Sequence, residues 1–179
     1  RTGMNPLAAA VELTRRNTRR YGGYIVHLGV VLMFIGFAGA AFNKSATAEV
    51  KIGDSFQIGK YELTVRELRR GDTANYAWDH AVIGVATGGR AIGTLEPERR
   101  FYASSQQSTS EVAIRRRLNE DLYLNFAGMT EDNARAVIQA YVFPLVSWIW
   151  VGFVVLVGGT LICLAPNKPR PARAEAGAD

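Results

Sequence analysis

Two histidines and one cysteine are the side chains of this 179-residue sequence that first suggest metal or redox chemistry. His27 lies within residues 21–42, a run of 22 residues without Lys, Arg, Asp or Glu. A run of this length can cross a bilayer as one helix, and an ionisable side chain inside it is by default a candidate functional residue. The simpler alternative is a hydrogen bond from His27 to a neighbouring carbonyl or to interfacial water. The run alone leaves both open.

Helical periodicity predicts two different faces on this span. Gly22, Gly29 and Gly36 recur every seven residues, so they lie on one side and would let a second helix approach closely. His27 points about 140° away from Gly22. It shares its side with small and apolar residues: Gly23, Val30, Val31, Phe34 and Ala38. Such a face suits the edge of a flat apolar cofactor whose metal takes one imidazole nitrogen, as haem iron does.

The second histidine and the cysteine are weaker candidates for a functional site. His80 has no cysteine or second histidine nearby, so the sequence favours an ordinary strand residue with Asp79 as its polar neighbour. Cys163, inside the second apolar run, cannot form an intrachain disulfide and is interpreted as a small apolar filler.

Two short arginine-rich runs, residues 98–100 and 115–117, are the other candidate binding groups. They could contact an acidic partner or the propionates of a haem, although such runs usually form a solvated face. Phosphate-binding, dinucleotide-binding, serine-hydrolase and zinc-protease motifs do not occur in the sequence.

The net charge of +5 is distributed unevenly along the chain. Residues 1–20 contain five Arg and one Glu, whereas residues 43–140 contain thirteen basic and thirteen acidic residues. Because positive charge flanks cytoplasmic ends of membrane spans, both ends are predicted to be cytoplasmic and the middle to lie across the membrane. The charge therefore reflects topology, and nucleic-acid binding is a poor explanation of it.

These patterns predict five segments and one fold class. The segments are a cytoplasmic basic segment (1–20), a transmembrane helix (21–42), an outer-face β-domain (43–140), a second transmembrane helix (141–165) and a disordered cytoplasmic tail (166–179). In the middle segment, six to eight short alternating runs predict a small antiparallel β-sandwich or barrel. Gly88 and Gly89 predict a hairpin turn, and residues 104–110 are interpreted as a polar link.

Five strings, in order, resemble the C-terminal part of the CcmF family of membrane haem lyases. They are RRYGGYIVHLG (19–29), LEPERRFY (95–102), STSEVAIR (108–115), EDLYLNFAG (120–128) and FPLVSWIWVG (143–152). The resemblance covers nearly the whole chain. It implies a role in cytochrome c maturation, in which haem is attached to apocytochrome c on the outer face of the bacterial cytoplasmic membrane.

The resemblance also implies a site and partners. His27 matches the family position that supplies an axial ligand to a structural haem b, whose other ligand lies on a helix that this chain does not contain. The implied partners are the remaining N-terminal part of the lyase, other maturation proteins, the haem-delivery chaperone, apocytochrome c and the bilayer. The chain is therefore expected to be a C-terminal piece that is not a competent lyase alone.

Two other function classes stay open on the sequence. The chain could be a membrane-tethered β-domain that acts only as a scaffold or docking module, with His27 merely hydrogen-bonded. It could also be a small enzyme acting at the β-domain, which is disfavoured because the sequence shows no nucleophile and base pair.

Overall fold

The computed structural model describes residues 5, 8–9, 11–12, 14, 17–132 and 134–166. The chain divides into two compact units, which we call the helical unit (residues 1–35 and 148–179) and the β-unit (residues 36–147). Of the predicted disordered tail, 166–179, all but Pro166 falls outside the described residues.

Two helices provide the apolar segments. Helix α1 spans Thr18–Ala38 and continues as a 3-10 turn over Gly39–Phe42, and helix α2 spans Val146–Leu164. Asn17 caps α1, since its side-chain oxygen accepts a hydrogen bond from the Arg20 amide at 3.3 Å. Both helices are long and apolar enough to cross a membrane, as predicted.

The glycine face of α1 packs closely against α2, which confirms the prediction from the seven-residue spacing. A Cβ added to Gly29 would lie 2.6 Å from the amide nitrogen of Leu156 and 2.8 Å from the carbonyl oxygen of Gly152. On the other helix, a Cβ added to Gly159 would lie 2.7 Å from the amide nitrogen of Val26. The backbones are therefore too close for any side chain at these positions.

Ten strands make up most of the β-unit. They are β1 (Lys44–Val50), β2 (Ser55–Ile58), β3 (Tyr61–Asp72), β4 (Ala77–Thr87), β5 (Arg90–Leu95), β6 (Glu98–Tyr102), β7 (Gln107–Glu111), β8 (Ala113–Arg115), β9 (Glu120–Met129) and β10 (Ala136–Pro144). Gly88 and Gly89, with φ of 56° and 75°, form the predicted turn between β4 and β5.

The strands form two antiparallel sheets around one core. One sheet has the order β1-β10-β9-β8, and the other has the order β2-β3-β4-β6-β7 with β5 also paired to β4. Alternate residues face inward, as on Tyr61, Leu63 and Val65 of β3. Burial raises the pKa of Tyr61 to about 12, with a hydrogen bond to Glu120 adding to the effect. The predicted antiparallel β-domain between two apolar helices is thus confirmed.

The structure corrects two details of the strand prediction. Residues 107–110, interpreted as part of a polar link, belong to strand β7, which pairs in register with β6. The number of strands is also larger than expected, since residues 90–103 contain two strands separated by Glu96 and Pro97. Ten strands therefore replace the six to eight expected, because backbone pairing with a neighbour orders segments whose own pattern is weak.

The β-unit is connected to the helices through two neighbouring strands. β1 follows the 3-10 turn, and β10 ends one residue before α2 begins, with Leu145 between them at a φ of 60°. β1 and β10 are paired directly, so that Lys44 lies opposite Val142. The amide of Leu145 donates a hydrogen bond to the carbonyl of Asn119 at 2.8 Å, which fixes the end of β10 within the β-unit.

Candidate functional site

His27 lies on the exposed side of α1, away from the buried glycines. Its Nδ1 atom is 2.8 Å from the carbonyl oxygen of Gly23, one helical turn earlier. Because a carbonyl oxygen can only accept, Nδ1 carries a ring proton, and in a neutral ring the lone pair is then on Nε2. The hydrogen bond proposed as the simpler alternative therefore exists, and it orients Nε2 as a potential metal ligand.

The side chains around His27 form an exposed apolar face on α1. We call this the histidine face; its other members are Tyr24, Leu28, Val31 and Phe34, each more than half exposed. Helix periodicity explains this arrangement, since residues 24, 27, 31 and 34 are spaced by three or four positions and residue 28 follows residue 24 by four. Opposite sides of α1 therefore carry the glycine contact with α2 and the histidine face.

The histidine face carries one imidazole among apolar side chains, a set of residues that could hold a haem. Among the described residues there is no group of three or more His, Cys, Asp or Glu that could hold a metal. A porphyrin supplies four nitrogens itself, so one imidazole with a fixed tautomer is a sufficient protein contribution on this helix. Val31 and Phe34, 53% and 67% exposed, would offer the apolar contact that a macrocycle requires.

His80 is placed by β4, at the wall of a small cavity in the β-unit. Its Nε2 lies 3.4 Å from a carboxylate oxygen of Glu96, and its side chain is only 14% exposed. The cavity, about 180 Å³, is also lined by apolar and paired groups: Leu68, Arg69, Arg70, Asp79, Phe126 and Met129. This is the strand position that the sequence favoured, with Glu96 added as a partner.

The arginine-rich runs join strands of the β-unit. Arg99 donates to the carbonyl of Ala127 on β9, and Arg115 donates to the carbonyl of Ile92 on β5 at 2.8 Å. Arg100 pairs with Glu98, whose hydrogen bond is the main reason that the pKa of Arg100 is raised. These contacts of Arg99, Arg100 and Arg115 are structural, whereas Arg116 and Arg117 are exposed, as the sequence favoured.

A second candidate site, which the sequence reasoning missed, is a groove on the outer face of the four-stranded sheet. We call it the aromatic groove; its volume is about 310 Å³ and it is lined by Ser110, Val112, Tyr123, Asn125, Tyr141 and Phe143. Tyr123 and Phe143 contact edge to face with ring centroids 5.0 Å apart. The sequence signal that could have revealed the groove is the aromatic side chains at alternate, outward-facing positions of β9 and β10.

Comparison with known proteins gives consistent matches. The family model of the CcmF C-terminal β-sandwich matches residues 41–144. Cytochrome c-type biogenesis protein CcmF of Haemophilus influenzae is 31% identical over 179 residues, which cover 92% of this chain and 28% of that protein. CcmF of Escherichia coli is 31% identical over 169 residues, covering 90% of this chain and 26% of that protein.

A solved structure shares the fold. The cytochrome c heme lyase CcmF superposes with a TM-score of 0.69 and 22% sequence identity, covering 85% of this chain and 26% of that one. At this identity the likeness concerns the fold alone. The chain spans about a quarter of the length of the curated relatives that it matches.

Proposed function

Because this chain belongs to the CcmF family of cytochrome c-type biogenesis proteins, we propose that it forms the C-terminal portion of a haem lyase. In this proposal the complete lyase attaches haem to apocytochrome c, and this chain contributes His27 as one axial ligand of a structural haem b. The β-unit lies on the periplasmic side of the bacterial cytoplasmic membrane, and both chain ends are cytoplasmic.

The observation that carries the proposal is the orientation of the His27 ring. The hydrogen bond from Nδ1 to the Gly23 carbonyl leaves Nε2 as the ring atom able to bind a metal. An Nε2 lone pair facing hydrocarbon without a partner would be costly, and an iron atom removes that cost. The match of this position to the ligand position of the family supports the same assignment.

The residues of the histidine face have separable roles in this proposal. His27 would bind the iron, while Val31 and Phe34 would contact the macrocycle and exclude water from the metal. The bound haem would supply one-electron chemistry, keeping the iron of the transferred haem reduced. A second ligand would come from a helix outside this chain, so the site would be completed only in the assembled lyase.

The haem content of the assembled complex tests the proposal directly. A lyase purified through a tag on this chain, together with its remaining part, should yield protohaem after extraction in pyridine and alkali. Its oxidised spectrum should be that of a low-spin haem with two nitrogen ligands. A complex that contains all of its polypeptides, supports maturation and carries no protohaem would contradict the proposal and favour the scaffold alternative.

Cysteine labelling tests the proposed topology. With Cys163→Ala as background, Ser105→Cys should react with a membrane-impermeant maleimide in intact spheroplasts, since residue 105 is exposed on the β-unit. Arg19→Cys, exposed at the start of α1, should react only after permeabilisation. The reason is the excess of arginine before the first span. The opposite labelling pattern would invert the topology.

A further inference from the structure

Strand β7 is a short edge strand with one charged residue, Glu111, and with no Lys, Pro or bulge. It pairs with β6 in continuous register from Gln107 to Glu111, and the order of its sheet ends with it. All five of its residues are exposed, and four of them are uncharged Gln, Ser or Thr. Edge strands are commonly protected by Lys, Pro or a bulge. β7 has none of these within its described span, whereas β1, at the edge of the other sheet, carries Lys44 and Glu49.

The single charge on β7 is ion-paired with Arg100, which Glu98 shares. Glu111, at its end, lies 3.3 Å from Arg100 of the neighbouring strand. Because both faces of β7 are exposed, burial contributes little to its order, which depends on the hydrogen bonds to β6. A second strand could therefore pair with the free backbone N–H and C=O groups on the open side of β7, and this pairing would in turn stabilise β7.

The aromatic groove lies beside β7, since Ser110 of the strand and the adjacent Val112 form part of its wall. Within the groove, the side-chain Oδ1 of Asn125 is buried and has no hydrogen-bond partner among the described residues. Its Nδ2 donates to Gln139 at 3.1 Å, which leaves Oδ1 to accept. A buried carbonyl without a donor is costly, so a hydrogen bond from an incoming N–H group would be favourable here.

We propose that the open edge of β7 and the aromatic groove together bind an extended segment of unfolded polypeptide by strand addition. An extended backbone presents N–H and C=O groups at the spacing that the edge requires, and one N–H can satisfy Asn125. Alternate side chains of such a segment would reach the rings of Tyr123 and Phe143. The surface of a folded globular protein offers neither a free extended backbone nor alternate side chains that can enter the groove.

The identity of the polypeptide rests on the proposed function. A haem lyase must receive its acceptor chain before haem attachment, and an apocytochrome lacks the cofactor around which its core would pack. Its backbone is therefore available to a strand edge. The β7 edge is then the surface where the acceptor chain is held while the helical unit contributes to haem binding.

The test measures the affinity of a haem-free, cysteine-alkylated apocytochrome c for the full chain in lipid nanodiscs, by fluorescence anisotropy. Thr109→Lys places a charge in the centre of β7 and should weaken binding at least about tenfold, because a buried lysine charge opposes pairing. Thr94→Lys makes the same change at an exposed position of β5 and should leave the affinity unchanged.

A second variant separates binding from folding. Asn125→Leu removes the buried carbonyl that lacks a donor, and Gln139, which loses the bond from Asn125, still accepts one from the Tyr141 hydroxyl at 3.3 Å, so the thermal midpoint of the chain should be unchanged or higher. Binding of the alkylated apocytochrome should nevertheless fall several-fold. Hydrogen exchange at residues 107–111 should slow when wild-type chain is saturated with the apocytochrome, and it should not slow in Thr109→Lys.

Three results would overturn the inference. They are equal affinities for wild type and Thr109→Lys, equal weakening by Thr94→Lys, and a β7-dependent dimer of this chain that excludes the apocytochrome. The haem b content of the assembled lyase separates this inference from the proposed function. Thr109→Lys should leave that haem b content unchanged. If a lyase without haem b still binds the apocytochrome at β7, the haem assignment is wrong and the inference about β7 stands.

Discussion

Replacing His27 with alanine is expected to abolish the low-spin haem b spectrum of the assembled lyase. Changing a residue that merely orients a metal ligand weakens affinity by about 10–100-fold, so removal of the ligand itself should cost at least as much. The apolar side chains of Val31 and Phe34 would remain, and haem that is retained should become high-spin. Formation of holocytochrome c, measured by haem staining, should fall at least about tenfold because the metal bond supplies the affinity.

The matched control for this experiment is the other histidine. His80→Ala removes an imidazole from the β-unit, 3.4 Å from Glu96, and should leave the haem b spectrum unchanged. Added imidazole should restore part of the low-spin spectrum in His27→Ala, since it can fill the vacated coordination position. A normally assembled His27→Ala lyase with an unaltered low-spin spectrum would exclude His27 as the ligand.

Gly159→Ala is expected to disrupt the pairing of the two helices. The new Cβ would lie 2.7 Å from the amide nitrogen of Val26 and 3.0 Å from the carbonyl oxygen of Gly22. These are backbone atoms, which cannot rotate away, so the helices must separate or shift. Overpacking of this kind costs about 1–3 kcal/mol. The measurement is the SDS concentration at which the two helices separate, followed by energy transfer between dyes at their ends.

The adjacent residue provides an internal control. Gly158→Ala adds the same methyl group one position earlier, where a Cβ would meet nothing within 4 Å. It should leave the separation point unchanged or raise it, since alanine favours a helix by up to about 1 kcal/mol relative to glycine. Equal effects of the two substitutions would show that helix propensity, and not close packing, determines the result.

The helical unit could be predicted from sequence because its signals are local. A charge-free run of 22 residues defines the first span, and seven-residue spacing of glycines defines its packing face. The bond between His27 and Gly23 also follows from local geometry, because residues four apart lie one turn apart. None of these features depends on which distant segment the helix meets.

Strand β7 and the aromatic groove could not be predicted in the same way. Apart from Thr109, the residues of β7 have low or neutral strand preference, and pairing in register with Glu98–Tyr102 orders them. The groove combines residues from three separate regions of the chain, so its existence depends on the pairing of β9 with β10 and on the nearby course of β7. The partner of His80, Glu96, depends likewise on the break between β5 and β6.

The direct pairing of β1 with β10 makes the β-unit a self-contained insertion in a helical hairpin. Residues opposite each other in an antiparallel pair are about 4.5–5.5 Å apart at their Cα atoms, so the chain leaves the β-unit beside the point where it arrived. A turn of about four residues could replace residues 43–145 and still join the helices. The match of the β-sandwich family to residues 41–144 follows the same boundaries. Evolution or protein engineering can therefore exchange either module while keeping the other.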